Sequence, residues 1–232
     1  MFSWLEKNPF FFTVAFLVAF SVAGLVEILP DFAKSSRPFV GLKPYSLLET
    51  AGRQIYMKEG CYNCHSQLIR PFAAETDRYG MASLSGEYAY DRPFLWGSKR
   101  TGPDLHRIGD SRSTDWHENH MFDPTSVVPE SIMPAYKHLY NKETDFETAY
   151  AEIVTKQKVF KEPYNVENGV QIGENIEEAK KLYLEEANRL AEGLKSEQAA
   201  QIKAALENGE VKEIVALIAY LNSLGQSRRV SK

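Results

Sequence analysis

Cysteine is the scarcest informative residue here, with two in 232 residues. So few exclude a disulfide-framed scaffold, which needs several pairs. An excess of either charge is also missing: 27 basic side chains face 31 acidic ones, for a formal net charge of -4. Without a Lys/Arg tract to follow phosphates, no nucleic-acid partner is expected. Long apolar runs are few as well. The mean hydropathy of -0.36 is that of a water-soluble chain, and its apolar residues collect near the N-terminus. The length suits one or two compact domains.

The long apolar run covers residues 10–29, FFFTVAFLVAFSVAGLVEIL, with Glu27 as its sole charge. At 1.5 Å per residue it spans about 30 Å, the thickness of a hydrocarbon core. Pro9 and Pro30 stand where a helix starts and stops. The lipid bilayer is therefore an expected partner through 10–29. A cleaved signal peptide competes, with Lys7 before the run and Ser21-Val22-Ala23 as a cleavage site. However, the run outlasts an h-region of about 7–15 residues. Lys7 alone precedes the run, whereas Lys34, Arg37 and Lys43 follow it. The positive-inside rule thus weakly favours a cytoplasmic C-terminal part. The next motif argues the opposite.

Residues 60–66 read GCYNCHS and contain C-x-x-C-H as Cys61, Cys64 and His65. This spacing marks c-type haem attachment. Two intervening residues let both sulfurs form thioethers at one porphyrin edge, and the next side chain turns onto the iron axis. Three other readings exist. A thioredoxin-like pair needs a preceding strand, and none is patterned here. A zinc site would need further ligands, for which His117 and His120 are available. A disulfide across two residues would be strained.

Flanking helices fit the haem reading. Ser46-Leu47-Leu48-Glu49 has capping-box spacing, and a helix from there to about Met57 places Leu48, Ala51 and Ile55 on one face. Near the far end, Ile214, Leu217, Ile218, Leu221 and Leu224 recur at helical steps, and Gly225 suits the residue beyond a helix C-cap. For the sixth iron ligand the candidates are Met81, Met121, Met133, His106, His117, His120 and His138. Met133 is favoured because Pro134 keeps its backbone extended; bis-histidine ligation is the alternative. Between the ligands, Gly102-Pro103-Asp104-Leu105 resembles the Gly-Pro-x-Leu stretch of c-type cytochromes, which packs on the proximal histidine with its proline covering the ring and a backbone carbonyl accepting the imidazole N–H. An ordinary turn explains Gly-Pro equally well. Lys99, Arg100, Arg107 and Arg112 surround it as candidates for haem propionates or a partner surface, with Pro103 and Arg100 expected to pack on or pair with the haem.

With those positions fixed, the chain resembles the membrane-anchored mono-haem subunit of cbb3-type cytochrome c oxidases, the FixO/CcoO family. The likeness runs through 6–9, 27–30, 60–71, 78–80, 85–87, 90–105, 117–124 and 131–136, with 90–105 its most specific part. It implies an all-α fold: one transmembrane helix, then a c-type cytochrome domain with long loops and extra surface helices. The expected divisions are an anchor and linker over 1–44, a cytochrome domain over 45–225 and a tail over 226–232. Within the domain lie a haem-loop region (60–136) and an inserted helical region (141–213), whose 16 acidic and 10 basic residues read as solvated helices. The resemblance implies one covalent haem c, with His65 and Met133 as axial ligands. It implies a haem-copper catalytic subunit as partner, much of 78–100 docking on it, and a di-haem or other cytochrome c as electron donor. It places the chain in the bacterial inner membrane, as a single pass with a periplasmic haem domain. Two alternatives are the cytochrome c subunit of a nitric oxide reductase, which lacks the 90–105 pattern, and a free-standing tethered carrier.

Overall fold

The computed structural model describes residues 2–33, 38, 41–97, 99–167 and 169–225. The chain divides into two compact units, Met1–Arg37 and Pro38–Lys232. The expected tail 226–232, and Lys34 and Arg37 of the charge count, lie outside the described residues.

The first unit comprises a short helix α1 (Phe2–Glu6) and the long α2 (Pro9–Ala33). Proline opens α2 at no cost, because the first amide of a helix has no partner anyway. The helix runs past Pro30 to Ala33 instead of ending at the proline. So close to the C-terminus, a proline forfeits a single ladder bond. Its stretch Pro9–Leu29 is long and apolar enough to cross a membrane and is exposed on every side. A helix apolar all round needs lipid or protein to cover it. Trp4 packs on Phe11 with ring centroids 5.2 Å apart, an aromatic pairing that suits the membrane–water boundary.

The second unit is helical, with isolated bridges Glu143–Lys212 and Tyr164–Val170 among its described residues. Helix α3 (Leu47–Lys58) begins at the predicted box: Ser46 Oγ accepts from the Glu49 amide at 3.1 Å, and the Glu49 carboxylate accepts from the Ser46 amide at 2.9 Å. It buries Leu47, Leu48, Ala51 and Ile55. Next come α4 (Ala73–Tyr79), α5 (Thr114–Phe122) and the one-turn α6 (Pro124–Val127). Helices α7 (Phe146–Phe160), α8 (Ile176–Ala191), α9 (Ala199–Glu207) and α10 (Glu213–Ser223) complete the unit.

Helices α3 and α10 form the most extensive helix pair among the described residues. They cross at Gly52, where a Cβ would lie 1.9 Å from the Ala216 carbonyl oxygen, so the two backbones touch. Tyr45 and Tyr56 flank the crossing, their ring centroids 5.5 and 5.3 Å from Tyr220. The helices of 141–213, expected above as solvated ones, are solvated on one side only, and each gives one stripe to this same core. The stripes are Ala149 and Ile153 of α7, Ala179, Tyr183, Ala187 and Ala191 of α8, and Ile202 and Leu206 of α9. The small residues of α8 allow close approach. Leu42 and Pro44, assigned above to the linker, are buried in the second unit, which begins before residue 45.

Candidate haem site

Helix α3 delivers the motif. Gly60, at φ +70°, turns the chain out of the helix in a conformation other residues avoid. Cys61–Asn63 then form a single 3₁₀ turn. The Cys64 and His65 amides both donate to the Cys61 carbonyl, at 3.1 and 2.9 Å, gathering two thiols and an imidazole into one turn. Both cysteines are free, Cys61 half-buried against the core and Cys64 exposed. Burial, then the neighbouring Glu59, pushes the Cys61 thiol up to about 12. A redox-active C-x-x-C needs a thiol shifted the other way. Nor do His117 and His120 complete a zinc site: among the described residues, no group of three or more His, Cys, Asp or Glu side chains is placed to hold a metal ion.

His65 is held from one side by residues 102–105. The Gly102 amide donates to the Cys64 carbonyl at 2.9 Å and the Leu105 amide to the Ser66 carbonyl at 2.8 Å. These bonds set the Pro103 carbonyl 2.8 Å from His65 Nδ1. A carbonyl can only accept, so Nδ1 carries the proton and Nε2 keeps its lone pair for a ligand. Gly102 lies flat against the ring: a Cβ there would be 2.3 Å from His65 Cε1 and 2.7 Å from Nδ1. Burial lowers the proton affinity of His65, with the Pro103 carbonyl and Asp104 partly opposing. The neutral imidazole is the form that binds a metal.

Met133 lies in the irregular stretch 131–136, half-buried against the core. The Tyr136 amide donates to the Met121 carbonyl at 2.8 Å. Burial, then the charges of Cys61 and Cys64, raises the Tyr136 hydroxyl to about 12, so this stretch passes within electrostatic reach of both thiols. Of the other ligand candidates, His120 also lies within electrostatic reach of the motif, since burial and then the charge of His65 lower its proton affinity. Met121 is buried in the core, Met81 is exposed, and His117 is buried on α5. His106 Nδ1 lies 2.7 Å from the Tyr88 hydroxyl, His138 pairs with Glu59 at 3.1 Å, and His120 stacks on Trp116 at 4.5 Å. Arg100 donates to Ser66 Oγ, the Leu68 carbonyl and Glu75, each at 2.7 Å, bracing the backbone that follows His65. Arg107 pairs with buried Glu87 at 2.8 Å. The Gly-Pro-x-Leu pattern leads one to expect 102–105 on His65, but not that Gly102 itself would lie against the ring.

The family model for cytochrome c oxidase, mono-heme subunit/FixO, matches residues 2–228. The chain belongs to this family. No curated relative matches it. Membership in the FixO family makes the chain an electron-transport subunit of a cytochrome c oxidase, implies one haem, and implies a catalytic subunit as partner. The site fits that group: two free thiols and an imidazole with Nε2 available share a turn, and a backbone without Cβ lies behind the ring. Cys61 and Cys64 would hold the porphyrin, and His65 the iron.

Proposed function

We propose that this FixO-family chain is the electron-relay subunit of a cbb3-type oxidase, anchored in the bacterial inner membrane by α2 with its second unit in the periplasm. The haem, when bound, supplies a one-electron Fe(III)/Fe(II) couple. The chain's residues do the rest. Cys61 and Cys64 fix the group covalently, and the Pro103 carbonyl sets the tautomer of His65. Met133, a thioether on a proline-stiffened stretch, favours the reduced state and so raises the potential. The observation that carries the reading is the seating of His65, its Nδ1 on the Pro103 carbonyl and its ring on Gly102.

Electrons arrive from a di-haem or other cytochrome c and leave for the haem-copper subunit. Support for a docking role of 78–100 comes from Phe94 and Trp96, exposed and stacked at 4.6 Å on the loop that packs against His65. Purification in mild detergent tests the proposal. A pyridine haemochrome of one haem c per chain, co-purifying with a haem-copper subunit carrying haem b, is expected. A colourless chain defeats the haem assignment. A haem-bearing chain that runs alone is a free-standing carrier, and one that travels with a nitric oxide reductase belongs to that enzyme.

A further inference from the structure

Asp104 has a fully buried side chain next to the residue whose carbonyl meets His65. Its Oδ1 accepts from the His106 amide at 2.8 Å, a local turn bond that any Asn could make. Its Oδ2 does something non-local: it accepts from Ser66 Oγ at 2.5 Å and from the Leu68 amide at 2.8 Å. Ser66 follows His65 directly, so one carboxylate ties together the two backbone stretches that carry the Pro103–His65 bond.

The donor inventory requires a carboxylate. Arg100 Nε donates to Ser66 Oγ at 2.7 Å, so the serine's own proton points at Asp104. The Leu68 amide can only donate. Two donors therefore converge on Oδ2, where the NH₂ of an asparagine would set donor against donor. The nearest cation, Arg100 Nη2, stands 3.6 Å from Oδ2 but is engaged by Glu75 at 2.7 Å.

We propose that Asp104 is a positioning residue for His65, holding the Pro103 carbonyl on Nδ1 and keeping a buried negative charge behind the imidazole, and so lowers the reduction potential of the haem that His65 ligates. The inference rests on the haem reading above. A strong acceptor at Nδ1 makes the imidazole a better donor to iron, and a buried charge escapes salt screening. Both effects favour the oxidised state.

The test is a spectroelectrochemical titration of the intact, detergent-solubilised complex. Asp104→Asn should raise the ferrous-to-ferric ratio at fixed ambient potential about tenfold, an upward shift of about 59 mV for one electron. Ser66→Ala keeps the charge but loses one tie, and should shift the potential upward by less. A purely structural role would lower thermal stability in both variants and leave both potentials at the wild-type value, which overturns the proposal. Should Asp104→Asn fail to assemble, Ser66→Ala decides by the same criterion. Wild-type protein lacking covalent haem would defeat the haem reading and this inference with it, an outcome distinct from intact haem with unmoved potentials.

Discussion

The absent side chain of Gly102 governs how His65 can be held. A methyl group there would sit 2.3 Å from Cε1, so either the ring or the 102–105 backbone must move, and the Pro103–His65 bond with it. Gly102→Ala is therefore expected to lower the haem-to-protein ratio and bring high-spin character into the spectrum. A wild-type ratio and spin state would refute the cradle. Under the proposed ligand set, Met133→Ala should lower the reduction potential and remove the sulfur-to-iron charge-transfer band; an unchanged spectrum would point to another ligand. Cys61, Cys64 and His65 are legible in the sequence because they are neighbours in it. The seat of 102–105 on His65 is legible as well, through the Gly-Pro-x-Leu pattern, but the ties of Asp104 are not, because its Ser66 and Leu68 donors meet it only in the fold.

Helices α3 and α10 show the same division between local and distant information. Their caps and apolar faces are written in consecutive residues, and the structure places both helices where that periodicity predicts. Their crossing point is not legible, since Gly52 reads as a weak helix residue until Ala216 stands against it. Gly52→Ala must separate the two backbones, and overpacking of that kind costs about 1–3 kcal/mol. The melting temperature should fall, which calorimetry would detect; an unchanged value would mean the crossing yields easily. The short 3₁₀ turn Ser85–Tyr88 carries a pH dependence. Burial alone would raise the Glu87 carboxyl, but hydrogen bonds from His106, the Leu84 amide and Arg107 hold it well below the usual carboxylate range. A carboxyl depressed in the fold stabilises above its unfolded value, about 4.3, and that stabilisation drains away as the pH falls below it. Glu87→Gln should lower stability at neutral pH and flatten the acid limb of a denaturation series; parallel wild-type and variant curves would contradict this. For α7, α8 and α9 the charge-rich composition reads as solvated helices, and only the fold shows that each keeps an apolar stripe that closes the same core as α3 and α10.

At the scale of the whole molecule, topology sets two rules against each other. The cationic residues after the apolar run outnumber Lys7 before it, which by counting would keep the C-terminal part in the cytoplasm. That rule is strong for short loops and weak for long segments, which translocate largely regardless of their charge. Everything from Pro38 onward forms one such unit. Under the proposed haem attachment at Cys61 the chemistry decides, because in bacteria haem c is attached on the periplasmic side. The second unit should therefore be periplasmic and the first residues cytoplasmic. Single cysteines added at Lys181, whose side chain is 76% exposed on α8, and at Ser3 on α1 would report this to a membrane-impermeant maleimide. In intact spheroplasts Lys181→Cys should be labelled and Ser3→Cys protected, with the pattern reversed in inside-out vesicles. The opposite pattern would leave Cys61 and Cys64 on the side where no haem is attached, and would refute the topology and the haem assignment together.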